Sequence, residues 1–369
     1  MVCWPLKLKN PFHFLSFEVN LHSHIKCIYT TMKNFCIFLI LLFAVLSSTY
    51  SQKIQCINQS EIPDSLGNSA KVYEINDSVS YYYQNPKRFS YIKHSMQDLY
   101  LAPKTMFQKK SILPIAAITA STLILIAYDE PIIEAAQQFG RYIHLSPDNN
   151  AKNLSPIKGL DFYVPTDLSS GLYYIGDGIT ELAVNGSFYV FGLIKKDSRA
   201  LQTASQLSEG MIATGIYVQV LKHLSGRITA RKNNNKDLWR WFPSLKEYHS
   251  SVPSYDAFPS GHLAIAMMTT TVIAMNYPEK KYIKPLCYSL MALCGYQMLN
   301  NGVHWAGDYP LAIAMGYTIG KIAVNRGRMR VINQAPTSDL NVSYPKPEYK
   351  LKPAYLGYGA TGLKFTATF

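Results

Sequence analysis

Apolar residues recur at helical spacing through most of the chain beyond residue 112, and clusters of Gly, Pro or charged residues separate the apolar runs. Such clusters are where helices of a bundle begin and end. The pattern therefore predicts an all-α core, a helical bundle that occupies residues 112–326. The predicted helices cover about 113–127, 131–142, 172–194, 201–224, 261–276, 284–299 and 309–325.

Two segments outside this bundle lack helical periodicity. Residues 52–111 are polar and rich in tyrosine, with scattered prolines, and they predict an irregular accessory N-terminal segment. Residues 327–369 are polar and contain several prolines, and they predict a short C-terminal tail. Apolar and polar residues alternate over 363–369, a pattern typical of a short edge strand.

Residues 32–51 carry the pattern of a secretory signal peptide. Lys33 supplies the basic start, residues 35–46 are almost entirely apolar, and small residues follow at 47–51. Because such a signal works from the N-terminus, Met32 is the expected start and residues 1–31 are expected to be an upstream extension. The protein is therefore predicted to be exported to the periplasm or cell envelope.

The composition fits an exported protein with an anionic partner. The chain has 48% hydrophobic and 16% charged residues and a net charge of +13. Removing residues 1–51, which contain four lysines and one glutamate, leaves a charge of +10. A basic exported protein suits phosphorylated lipids or an anionic membrane surface. Nucleic acid is excluded as a partner, because the sequence has no Lys/Arg-rich helix interleaved with aromatic residues and no nucleic-acid motif.

The length of the apolar runs argues against helices that cross a membrane. The runs cover about 12–17 residues, whereas a spanning helix needs about 20, and Asp177, Glu181 and Glu209 interrupt two of them. One observation favours spanning helices: clusters of Lys and Arg would lie together at one end of the bundle, as in a membrane-spanning protein. We expect an exported domain that is soluble or held only at the membrane surface.

A candidate anion site lies where the predicted helix 261–276 begins, after the sequence Phe-Pro-Ser-Gly-His at 258–262. A helix that starts at Ser260 and Gly261 turns free N–H groups toward one point, with the positive end of the helix dipole behind them. We call these two residues the phosphate seat. His262 would lie beside it. The alternative is an ordinary helix start with a solvated histidine.

Two further pairs of residues carry candidate chemistry. His304 and Asp308 are four residues apart, so the carboxylate can reach one imidazole nitrogen and leave the other free as nucleophile or base. Lys222 and Arg227 follow another apolar run and offer two cations to phosphoryl oxygens. Taken separately, the first pair also fits a helix-capping Asp beside an unrelated His, and the second fits a basic helix C-terminus.

Together these pieces resemble the type 2 phosphatidic acid phosphatase and vanadium haloperoxidase superfamily, which includes the bacterial class A acid phosphatases. The family pattern is K-x6-R-P, then P-S-G-H, then S-R-x5-H-x3-D, on an all-helical core. The resemblance covers about residues 112–325, and residues 259–262 with His304 and Asp308 match fully. It implies a helical bundle of the type 2 phosphatidic acid phosphatase kind.

The resemblance also implies a phosphatase that uses no metal or other cofactor. His304 would attack phosphorus to give a phosphohistidine, Asp308 would orient His304, and His262 would protonate the leaving oxygen. Phosphoryl transfer of this kind depends mostly on positioning and on stabilisation of charge. The residues that would hold the phosphoryl oxygens are Lys222, Ser260 and Gly261.

Two arginines of the family pattern are replaced in this chain. Thr229 stands at the position of the first and Met298 at the position of the second. Arg227, two residues before Thr229, is expected to bind phosphate in place of the first arginine. Further candidates to replace the missing arginines are Arg231, Arg240 and Asn301.

Three functions are compatible with these residues. The first is metal-independent hydrolysis of phosphomonoesters or lipid (pyro)phosphates through a phosphohistidine, with a phosphorylated small molecule or lipid as substrate. The second is binding of an anion or phospholipid with weak or no turnover, which the replaced arginines favour. The third is vanadate-dependent haloperoxidase activity, which is disfavoured because the family's haloperoxidases also use both arginines.

Overall fold

The computed structural model describes residues 56–58, 70–154, 163–233, 238–332, 348–355 and 361–368. The predicted signal peptide at 32–51 and the upstream extension at 1–31 lie outside the described residues. Most of the described residues are helical, which confirms the all-α core. The helices are α1 Ser90–Met106, α2 Ile112–Ala127, α3 Asp129–Tyr142, α4 Leu168–Tyr174, α5 Gly178–Lys195, α6 Ser198–Ser225, α7 Leu245–Ser250, α8 Gly261–Asn276, α9 Ile283–Asn300 and α10 Tyr309–Gly327.

The described residues also include β-strands. β3 pairs antiparallel with β2 and with β6, and β6 also pairs in parallel with β1. The strand expected at 363–369 is present as β8, which pairs antiparallel with β7. The strands are β1 Cys56–Asn58, β2 Ala70–Asn76, β3 Val79–Gln84, β4 Ala151–Asn153, β5 Tyr163–Pro165, β6 Met329–Ile332, β7 Glu348–Tyr355 and β8 Thr361–Thr368.

Helices α6, α8 and α10 form the centre of the bundle and are buried along most of their length. Small residues bring α8 and α10 together: a Cβ on Gly316 would lie 2.1 Å from the carbonyl oxygen of Ala264. At the end of the bundle opposite Lys222, which we call the far end, Arg199 and Glu279 form an ion pair of 2.9 Å. α6 has 28 residues and is therefore about 42 Å long, which separates Arg199 from the opposite end, where Lys222 lies.

The apolar run predicted as one helix over 172–194 is two helices, α4 and α5, with a turn at 175–177. Gly176 lies so close to α8 that a Cβ there would be 2.9 Å from the Cβ of His262. Asp177 then caps α5, because its carboxylate accepts a hydrogen bond of 2.9 Å from the Ile179 N–H. The break therefore has a tertiary cause, the contact with His262.

Residues 70–106, for which the sequence predicts no regular structure, form the β2–β3 hairpin and α1. Tyr83 of the hairpin donates a 3.0 Å hydrogen bond to the side chain of Asn276, at the far end of α8. α1 is attached through Asp98, which pairs with Arg326 of α10. Arg326 also pairs with Glu209 of α6. These contacts fix the segment to the far end of the bundle; the division of the chain at residues 111 and 326 stays a prediction.

Candidate active site

The candidate site lies where the C-terminus of α6, the N-terminus of α8 and the connection from α9 to α10 meet. The Ser260 N–H donates a 3.1 Å hydrogen bond to the carbonyl oxygen of Asp308. The ring centroids of His262 and His304 are 6.3 Å apart. A Cβ on Gly261 would lie 3.8 Å from the Lys222 ammonium. The structure thus brings together six residues that the sequence predicts for the site: Lys222, Ser260, Gly261, His262, His304 and Asp308.

The hydrogen bonds of His304 define its tautomer. Its Nδ1 lies 2.7 Å from the carbonyl oxygen of Ala257 and 3.3 Å from Oδ2 of Asp308. Both partners are acceptors, so Nδ1 carries the proton. The neutral imidazole then has its lone pair on Nε2. The ring is buried, and Oδ2 of Asp308 also accepts a 2.8 Å hydrogen bond from the Trp305 N–H.

Arg227, which the sequence predicts to bind phosphate, has its guanidinium paired with two carboxylates. Its side chain is fully buried, with Nη1 2.5 Å from Oδ1 of Asp308 and Nη2 bonded to Asp129. Its guanidinium carbon lies 4.6 Å from the ring centre of Trp239. Burial alone would lower the pKa of Arg227, but Asp308 and Asp129 raise it above its usual value. Arg227 therefore anchors Asp308 and indirectly His304.

Asp129 is a site residue that the sequence did not identify. One carboxylate oxygen binds Arg227 and the other accepts a 2.8 Å hydrogen bond from the Gly307 N–H. Burial raises the pKa of Asp129, and the attraction of Arg227 opposes that rise. In the sequence, Asp129 is a polar residue that follows an apolar run, and this position does not indicate a functional role. Its partner is 98 residues away, so no local signal identifies it.

His262 lies in an enclosed position under α4. The ring of Tyr173 has its centre 4.4 Å away, and Oδ2 of Asp177 lies 4.0 Å from Nε2. Burial, with smaller contributions from His304 and Lys222, lowers the pKa of His262 to about 3. The imidazole is therefore neutral in the empty site at neutral pH. A phosphoryl dianion beside it would favour the protonated form.

Lys222 is already paired. Its ammonium lies 2.7 Å from Oδ2 of Asp256, a second residue that the sequence did not identify. Tyr248 of α7 donates a hydrogen bond to the other oxygen of Asp256. The only sequence signal is the position of Asp256, four residues before the Ser260 that caps α8.

Neutral side chains stand at both replaced arginine positions. The Ser260 hydroxyl caps α8 by accepting from the Leu263 N–H at 3.4 Å, and it donates to the Met298 sulfur at 3.8 Å. The thioether of Met298 therefore lies against the phosphate seat. Thr229 is buried, and its hydroxyl has no hydrogen-bond partner among the described residues.

The three candidates to replace these arginines differ in their contacts. Arg231 donates from its backbone N–H to the Gly302 carbonyl oxygen at 2.8 Å, and its side chain is exposed. Arg240 is also exposed, and its guanidinium is paired with Glu247.

Asn301 does not offer its amide to the phosphate seat either. It is buried, and its NH2 group donates to Asn149 at 3.1 Å. Its oxygen accepts from the Val303 N–H at 3.0 Å. Arg231 is therefore the candidate whose guanidinium has no partner within the described ranges. Within the described ranges, no group of three or more His, Cys, Asp or Glu side chains is arranged to hold a metal ion.

Comparison with known proteins confirms the resemblance. Residues 203–331 match the model of the PAP2 superfamily, and this range contains the lysine, both histidines and Asp308 of the site. Among solved structures, the crystal structure of Aquifex aeolicus LpxE is similar, with 20% sequence identity and a TM-score of 0.32. The match covers 42% of this chain and 82% of that chain. No curated protein matches the chain. The family match supports a phosphatase of the PAP2 kind.

Proposed function

We propose that this chain, whose residues 203–331 match the PAP2 superfamily, hydrolyses phosphomonoesters or lipid phosphates through a covalent phosphohistidine on His304. One observation carries the proposal: two acceptors, Ala257 and Asp308, hold the proton on Nδ1 of His304. In that tautomer the lone pair lies on Nε2, as a nucleophile for phosphorus requires.

The proposed reaction has two steps. Nε2 of His304 attacks phosphorus, the bond to the leaving oxygen breaks, and that oxygen takes a proton from His262. Water then attacks phosphorus and gives a proton to His262, the bond from phosphorus to Nε2 of His304 breaks, and inorganic phosphate is released. The low pKa of His262 in the empty site means that it takes up its proton as the anionic substrate binds, so turnover is expected to favour mildly acidic pH.

The phosphoryl oxygens would be held by Lys222, the Ser260 hydroxyl and the N–H groups that begin α8. Removal of one such donor from an enzyme typically lowers kcat by about 10²–10³. With Thr229 and Met298 at the two arginine positions, we expect turnover to be slower than in relatives that have both arginines.

Exposed apolar side chains beside the site support a lipid substrate and contact with a membrane. Trp241, Phe242 and Leu245 are 62%, 71% and 68% exposed. Their loop is tied to the end of α6 by a 3.1 Å hydrogen bond from Phe242 N–H to the Leu224 carbonyl oxygen. Aromatic side chains with one polar edge suit the boundary between lipid and water. We call residues 241–245 the rim loop.

The surface of the bundle supports the same proposal. By length and composition, one stretch in the described residues, Lys109–Ala127, is apolar enough to cross a bilayer, and 28% of it is buried. Large exposed apolar surfaces are typical of membrane or protein contacts. We therefore infer an exported protein that is associated with a membrane. Further exposed apolar side chains lie along α5: Leu182, Tyr189, Val190, Phe191, Leu193 and Ile194.

Phosphate release by the purified full chain tests the proposal, with an aromatic phosphomonoester and with phosphatidic acid in mixed micelles as substrates. We expect release that is insensitive to chelators and inhibited by vanadate. His304→Gln should abolish release, and alkaline quenching should trap a phosphohistidine only in the unmodified protein. His249→Gln, which changes an exposed histidine, is the matched control. Full activity of His304→Gln would overturn the mechanism.

Binding of phosphate without hydrolysis is the second candidate function, and Met298 against the phosphate seat favours it. A thioether cannot stabilise the negative charge that builds up on phosphoryl oxygens in the transition state. If this candidate holds, the protein binds inorganic phosphate, releases none from either substrate, and binds equally well as His304→Gln.

A further inference from the structure

The charge balance of the site depends on the pair formed by Lys222 and Asp256. The Lys222 side chain is 8% exposed and the Asp256 side chain 28%, and 2.7 Å separates the ammonium from the carboxylate. The ammonium also lies next to Gly261 of the phosphate seat. The same cation is therefore within reach of Asp256 and of an anion bound at the seat.

The other cations near the seat are engaged or lie outside it. Arg227 is bonded to Asp129 and Asp308. His262 is neutral in the empty site, and neutral residues occupy both family arginine positions. Arg231 is exposed at the edge of the site. Among the described residues, Lys222 is therefore the buried cation that a phosphoryl anion at the seat can use, in competition with Asp256.

Asp256 is held in place for this competition. Tyr248 donates a hydrogen bond to its second carboxylate oxygen. The Tyr248 ring is itself fixed, because it stacks on the ring of His223 with centres 3.8 Å apart. The backbone of Asp256 forms a bridge with that of Arg227. A carboxylate fixed from two sides loses little conformational entropy when it pairs with a lysine, so it is an effective competitor.

We propose that Asp256 is a positioning residue that binds the Lys222 ammonium when the site is empty and shares it when a phosphoryl group arrives. Asp256 thereby weakens phosphate binding and promotes release of the product. The inference rests on the proposed function, because it requires that the seat bind phosphate.

Titration of the full chain with inorganic phosphate and with vanadate tests the inference. Asp256→Asn removes the competing charge and leaves a nearly buried ammonium whose best remaining partner is the anion. We expect Asp256→Asn to bind phosphate about fivefold to tenfold more tightly. Asp256→Glu keeps the carboxylate and should bind close to the unmodified protein. Glu134→Gln, which removes an exposed carboxylate of α3, is the control for net charge.

Thermal unfolding separates this role from a merely structural one. Without anion, Asp256→Asn should unfold at a lower temperature than the unmodified protein, because Lys222 is left unpaired. Added phosphate should then raise the unfolding temperature of Asp256→Asn more than that of the unmodified protein. A purely structural pair would lower the unfolding temperature by the same amount with and without phosphate, and that result would overturn the inference.

The outcomes distinguish the inference from the proposed function. Phosphate binding by Asp256→Asn that is unchanged or weaker overturns the inference and leaves the seat intact. No binding of phosphate by either protein overturns the proposed function and the inference together. If Asp256→Asn does not fold, Tyr248→Phe replaces it. That variant loosens the carboxylate and should tighten phosphate binding about twofold; unchanged binding would overturn the inference.

Discussion

Replacement of Arg227 by methionine tests whether this arginine supports the fold or binds phosphate. Methionine fills part of the buried volume but leaves Asp129 and Asp308 without their shared cation. Removal of one partner from a buried ion pair typically costs about 3–5 kcal/mol, because the remaining charge is buried without compensation. The contact of the guanidinium with Trp239 adds about 0.5–2 kcal/mol. We therefore expect the free energy of unfolding to fall by roughly 3.5–7 kcal/mol.

The loss should depend on pH. Burial already raises the pKa of Asp129 in the folded protein, and removal of Arg227 would raise it further. A carboxyl group whose folded-state pKa is raised contributes stability at low pH that is lost as the pH rises through that pKa. The stability deficit of Arg227→Met should therefore be smaller at pH 5 than at pH 8.

Urea unfolding, followed by tryptophan fluorescence, measures both effects, and Trp239 beside Arg227 reports on the site. The double variant Arg227→Met/Asp129→Asn should recover part of the loss, because it removes one of the unpaired carboxylates. If Arg227→Met unfolds at the same urea concentration as the unmodified protein and shows only a raised KM, Arg227 binds phosphate and the reasoning is refuted.

Further predictions concern the interior, the site and the rim loop. Burial raises the pKa of Glu181 to about 7. The stability that the protonated carboxyl group contributes is therefore lost as the pH rises from 4.5 through 7. Glu181→Gln should therefore be more stable than the unmodified protein at pH 8 by about 3 kcal/mol, with little difference at pH 4.5, in urea unfolding; equal stability at pH 8 would contradict this. Arg231→Ala should raise KM for a soluble phosphomonoester about threefold to tenfold, because a nearby cation is lost. Arg240→Ala is the control: it breaks an exposed pair with Glu247 and should leave KM unchanged. Replacement of both Trp241 and Phe242 by serine should lower turnover of phosphatidic acid in vesicles and leave hydrolysis of the soluble substrate intact; an equal loss on both substrates would argue against a lipid-contacting rim loop.

The sequence predicted the helices of the core because apolar periodicity is a local pattern, whereas the meeting of its motifs was implied by the family resemblance. Apolar periodicity identifies a buried helix face, and spacing brings His304 and Asp308 together. The turn at 175–177 could not be predicted in this way. The apolar pattern is continuous there, and the break results from the contact between Gly176 and His262.

The partners of the charged residues were not predictable either. Spacing indicates that Arg227 lies near the site but not the direction of its side chain, which turns toward Asp129, 98 residues away. Asp256 is 34 residues from Lys222, and only the fold brings the two together. The roles of cations in such a site depend on which carboxylates have already paired with them.

The sheet that pairs β3 with β6 has a consequence for synthesis. β3 ends at Gln84, and its partner β6 begins at Met329, roughly 250 residues later. A ribosome adds about 5–20 residues per second, so the nascent hairpin waits roughly 10–50 seconds for this partner. During that interval the edge of β3 that later pairs with β6 stays open, and a chaperone or a neighbouring nascent chain has time to bind it.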